Sequence, residues 1–123
     1  DVYKRQMVNN VQQMKQPAAA DITEAVLELG DNCRKMLGTV RQAYEAHDTR
    51  LAREAAAMDN DVDKGEQEII KQVFAWQSEH PEDFMISTYT LWITHSMERI
   101  GDRVTNIAER VIYIATSQTE NLN

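Results

Sequence analysis

Asp59, Asp63 and Glu66 follow one another at steps of four and three, and Glu98 and Asp102 stand four apart, with Glu109 seven residues further on. On a helix, residues at i and i+4 lie ~5–6 Å apart on one face, and like charges there repel by roughly a few tenths of a kcal/mol. Neither Asp59 nor Asp63 has a Lys or Arg three or four positions away to offset that repulsion. A chain reversal at His80-Pro81 sharpens the pattern. Folding antiparallel about it brings Asp63 level with Glu98, Asp59 level with Asp102, and Glu66 level with His95. Four carboxylates then gather at one height on the outer side of a helical hairpin, with Asn106, Glu109 and Glu66 as outer neighbours. Two readings of this face are open: a solvated acidic surface, or a site for a hard cation, because hard cations take all-oxygen shells. Iron, manganese or magnesium is expected there before zinc.

Other chemistry is thin. No Ser/His/Asp or Cys/His set converges and no Gly-rich phosphate loop exists, so enzymatic turnover is not expected. A di-iron oxidase would need Glu-x-x-His motifs; His95-Ser96-Met97-Glu98 runs the other way. Nothing around His47 or His95 resembles a phosphotransfer site. Arg99, Arg103 and Arg110 form a basic strip suited to phosphate or carboxylate, but such strips are commonly surface ion pairs of small worth.

The elements that position these residues must be helices. With four glycines and two prolines in 123 residues, breakers are too scarce for anything else. Pro17 and Pro81 leave 63 residues between them, a helix of ~95 Å if unbroken, so a turn falls inside, at Ala46-His47-Asp48-Thr49. Asp48 is placed to N-cap the second helix, and Asp21 with Glu24 resembles a capping box for the first. Helices are therefore expected over 21–46, 49–79 and 82–117. Their apolar seams step by three and four. These are Ile22, Val26, Leu29, Cys33, Met36 and Val40; then Leu51, Ala55, Met58, Val62, Ile69, Val73 and Trp76; then Ile93, Met97, Ile100, Val104, Ile107, Val111 and Ile114. Three such segments with short turns make an all-α, antiparallel up-down-up three-helix bundle.

Composition bounds the partners. Thirteen cationic against twenty acidic residues leave a formal charge of −7, which argues against nucleic acid or an anionic membrane surface. The single cysteine, Cys33, excludes an intramolecular disulfide framework and suits a reducing cytosol. No apolar run approaches the ~20 residues that cross a bilayer, and no leader opens the chain, so a cytoplasmic location without membrane insertion is expected.

The stretch Met97-Glu98-Arg99-Ile100-Gly101-Asp102-Arg103-Val104-Thr105-Asn106-Ile107-Ala108-Glu109 resembles the signature of the PhoU family, as does Met58-Asp59-Asn60-Asp61-Val62-Asp63. The resemblance covers residues 18–117. It implies a three-helix repeat, usually one of two per chain, with E(D)xxxD motifs that here are Asp59 to Asp63 and Glu98 to Asp102. In the family these motifs bind metal ions. The resemblance further implies a cytoplasmic accessory protein that links a phosphate-specific ABC transporter to its sensor kinase and represses the phosphate-starvation response. The alternative is a metal-free structural or protein-interaction bundle.

Asp1 to Gln6 reads like a translated transposon-end tag, so residues 1–6 are expected to be a non-native scar. Residues 7–17 are expected to be the tail of a preceding helix, 18–118 the repeat, in likeness a C-terminal one, and 119–123 a tail. Phe84, Met85, Tyr89 and Trp92 form an apolar stripe off the Ile93 seam, a candidate interaction surface through which the chain is expected to self-associate, most simply as a dimer.

Overall fold

The structure, a computed structural model, describes residues 20–117, 121 and 122. The expected scar at 1–6, the tail at 7–17 and part of the C-terminal tail lie outside the described residues. Among the described residues four α-helices make three arms: α1 (Ala20–Ala46), α2 (Thr49–Ala57), α3 (Asp59–Glu79) and α4 (Phe84–Thr116). No strand occurs among the described residues. α1 runs up, α2 and α3 together run down, and α4 runs up, in the expected bundle.

The turns obey local chemistry. His47 adopts a left-handed φ of 52°, and the Asp48 N–H closes back on the Ala43 carbonyl at 3.0 Å, so α1 ends in a Schellman motif. The Asp48 carboxylate then accepts from the Arg50 and Leu51 N–H groups at 2.9 and 3.1 Å, capping α2. Asp21 already lies inside α1, so no capping box forms at that residue. Between α3 and α4, Pro81–Asp83 makes one 3₁₀ turn. The His80 ring stacks on Trp76 at 4.5 Å, and Gln77 Nε2 donates to the His80 and Pro81 carbonyls.

Two seams differ from their expected course. The second arm is hitched at Met58. The Met58 residue keeps right-handed dihedrals, and the Asp61 and Val62 N–H groups both bond to its carbonyl as the ladder restarts. The buried run here is Ala52, Ala55, Ala56, Asp59 and Val62, while Met58 is only half-buried. A carboxylate thus occupies a core position. On α4 the seam runs through Ile86, Thr90, Ile93, Thr94, Met97, Gly101, Val104, Ala108, Val111 and Ile112. Ile100 is half-buried, and Ile107 and Ile114 are exposed. Each arm touches both others, so the small residues Gly101 and Ala108 take the close approach and the larger Ile107 and Ile114 are left on the flank. Thr90 and Thr94 are buried because each hydroxyl donates to the carbonyl four residues back, at 2.8 Å.

Candidate metal centre

Asp59 opens α3 and is 4% exposed, packed between α3 and α4. Its Oδ1 has no hydrogen-bond partner. It sits directly over Gly101, where any Cβ would collide with Oδ1 and come 3.6 Å from a methyl of Val62. Gly101 is therefore what lets the carboxylate enter the core. Burial raises the Asp59 pKa first, and the charges of Asp63 and Asp102 raise it further.

The facing carboxylates feel one another in the register read from the sequence. Glu98 is pushed up to about 7, first by burial, then by a hydrogen bond and charge from Asp102, then by Glu66 and Asp63. Glu66 is raised by burial and by Asp63, opposed by the positive field of His95, and raised again by Asp102 and Asp59. Asp59, Asp63, Glu98, Asp102 and Glu66 thus form one electrostatic cluster across the α3/α4 hairpin. Asp63, Glu66 and Glu98 are half-buried and Asp102 is exposed. Among the described residues, no three His, Cys, Asp or Glu side chains are placed to hold an ion as they stand.

The outer candidates separate. Asn106 is exposed on the solvent side of α4. Glu109 accepts from the Leu122 N–H at 3.2 Å and so anchors the returning tail. Phe84, Met85 and Trp92 are exposed and Tyr89 is half-buried, edge-on to Trp92 at 6.3 Å. Cys33 is 3% exposed, and its thiol donates to the Met97 carbonyl at 3.6 Å. Burial, then Asp59, pushes the thiol up to about 11, so it is an inert core residue. Sequence reasoning missed Gly101 as the residue that admits Asp59. A glycine facing an acid across the turn was its only signal.

The residues fit a cation in one specific respect. A buried carboxylate oxygen without a donor is normally a liability, and here burial first, then the charges of Asp63 and Asp102, disfavour its ionised form. The donor set is all oxygen, as hard cations require.

The family model for the PhoU domain matches residues 26–111, and the chain belongs to the PhoU family. It is 30% identical over 103 residues to a phosphate-specific transport system accessory protein PhoU homolog of Clostridium acetobutylicum, covering 84% of this chain and 47% of that one. Proteins of the same description from Pseudomonas putida and Pseudomonas aeruginosa are 30% and 32% identical over 89 residues. These matches cover 72% of this chain and 35% and 37% of theirs. The chain therefore spans a third to a half of the length of these relatives. No solved structure matches it significantly. Among the described residues no helix is long and apolar enough to cross a membrane.

Proposed function

We propose that the chain is a non-catalytic, cytoplasmic regulator of phosphate uptake. In this reading it associates with a phosphate-specific ABC transporter, couples it to a sensor kinase and represses the starvation response. The names of its relatives support the association with transport. We further propose that Asp59, Asp63, Glu98 and Asp102 hold a hard cation, iron, manganese or magnesium, with Glu66 as an outer partner.

The observation that carries the metal reading is the buried, unpartnered Oδ1 of Asp59. Packing fixes this side chain, while Asp63 and Glu98 are half-buried and Asp102 is exposed at the rim around it. A bound cation supplies neutralisation of the clustered negative charge. The protein supplies a rigid helical hairpin that sets which carboxylates meet. Loss of that charge balance would change the surface that a partner reads.

Melting of the metal-free chain with each ion tests the reading, because a ligand that binds only the folded state raises its stability. A rise is expected with iron or manganese, and it should vanish in an Asp59→Ala/Asp102→Ala double variant. No rise with any of the ions would leave the metal-free interaction bundle. Restored phosphate repression of a starvation reporter, in a bacterium lacking its own accessory protein, would test the regulatory part.

A further inference from the structure

The face that α3 and α4 share changes character along its length. The two helices are pinned together at both ends. Near the reversal the Ser87 hydroxyl donates to Gln77 Oε1, and Gln77 Nε2 holds the His80 and Pro81 carbonyls. Toward the other end Gly101 takes Asp59 against its backbone. Steps of seven and four put Ile70 and Phe74 on the same edge of α3 as Asp63. The same steps put Phe84 and Leu91 on the same edge of α4 as Glu98 and Asp102. The half of this face nearer the reversal is therefore apolar. Phe74 is 62% and Phe84 60% exposed, so the core absorbs neither, and Ile70 and Leu91 are half-buried. The other half is acidic. Among the described residues, no Lys or Arg contributes to the charges that act on Asp59, Glu66 and Glu98; the only cation they meet is His95, felt by Glu66.

We propose that this face is the docking groove for a basic amphipathic helix of a protein partner. The apolar residues of that helix rest on the Phe74/Phe84 ledge, and its Lys or Arg residues lie against the carboxylates. This surface extends the association with a partner proposed above and rests on it, independently of any metal. Charge selects the occupant. A wholly apolar helix would cover carboxylates without pairing them, which is costly, and a second copy of this chain would bring the same acidic face and a formal charge of −7. A helix whose apolar stripe continues into a basic one satisfies both halves, and grooves of this kind read anchors at i, i+4 and i+7. Length agrees. Phe84 to Asp102 spans ~27 Å at ~1.5 Å per residue, a partner helix of about eighteen residues. Rigidity favours the contact as well, because helices pinned at both ends lose little freedom on binding. One helix on this groove buries less than the ~1,200 Å² of a stable interface, as a reversible regulatory contact does.

Fluorescence anisotropy with the full 123-residue chain, in chelator and physiological salt, tests the proposal apart from the metal reading and from the repression reporter. The probe is a labelled, amidated peptide of about eighteen residues. Leucines at i, i+4 and i+7 occupy one half of its stripe, and lysines continue that stripe through the other half. Two control peptides replace the leucines by serine or the lysines by glutamate. Saturable binding of the probe is expected, with both controls at least tenfold weaker. A Phe74→Ala/Phe84→Ala double variant should bind the probe at least tenfold more weakly while melting as the parent does, because both rings are mostly exposed. Asp102→Asn should weaken binding severalfold, and Tyr44→Ser, on α1, should leave it unchanged. Equal binding of the serine peptide would overturn the proposal, since charge alone would then account for the attraction. Equal binding of the glutamate peptide, no saturation at all, or a Phe74→Ala/Phe84→Ala variant that binds as the parent does would overturn it too.

Discussion

Replacing Asp59 with alanine should stabilise the metal-free protein, the reverse of what removing a buried contact normally does. The Asp59 side chain is 4% exposed and its Oδ1 has no donor. Leaving a buried polar atom unpaired costs about 1–3 kcal/mol. Alanine removes that term and, as the better helix former, adds a few tenths of a kcal/mol, roughly. Against this stands the favourable placement of an acid in the first turn of α3, about 0.3–1 kcal/mol, with a small loss of packing. The net expectation is a gain of about 1 kcal/mol, or roughly 3–6 °C in melting temperature for a domain of this size. Circular dichroism melts at pH 7.5 in chelator would read it. With saturating metal the order should invert, because only the parent gains from binding. A melting temperature several degrees below the parent in chelator would refute the reasoning. It would mean that Asp59 makes a net favourable interaction without a cation.

Glycine substitutions separate the two faces of the bundle. Gly38→Ala meets open space and should stabilise the dilute chain by about 0.5–1 kcal/mol. Gly101→Ala drives a methyl into Asp59 and should destabilise it by about 1–2 kcal/mol net of helix propensity. Adding Asp59→Ala to Gly101→Ala should recover most of that loss, a coupling that a thermal double-mutant cycle would measure. The pH response follows from Glu98. Its pKa of about 7 in the folded chain lies above the ordinary 4.5, so between those values the folded state holds more protons than the unfolded one. Stability of the metal-free chain is then greatest at the acid end of that window and falls as pH rises through 7. After discounting for solvent screening, the loss is about 1–2 kcal/mol. Melts at pH 5.5 and 7.5 should show it, and Glu98→Gln should flatten it.

Periodicity, scarce breakers and turn chemistry determined the three arms, their direction and the reversal at His80-Pro81. Each is a local property: Asp48 caps through its own neighbours, and Pro81 cannot continue the helix that precedes it. The hairpin register was equally accessible, because two helices of fixed rise joined by a short turn must pair at equal distances from it. Hence Asp59 falls beside Asp102, and Glu66 beside His95. Which residues face inward was another matter. Steps of three and four on α4 support two overlapping stripes, and the one richer in isoleucine is not the one buried. The arms' closest approach selected Gly101 and Ala108 instead, leaving Ile107 and Ile114 outside. An aspartate reads as polar in any pattern, so only the glycine supplied by another helix could reveal that Asp59 belongs to the core. The placement of Glu109 likewise depended on where the chain returns after α4. Spacing along one helix fixes a face to within about one residue. Whether that face meets protein, water or a second chain is decided by the volume and charge of what the other arms bring to it.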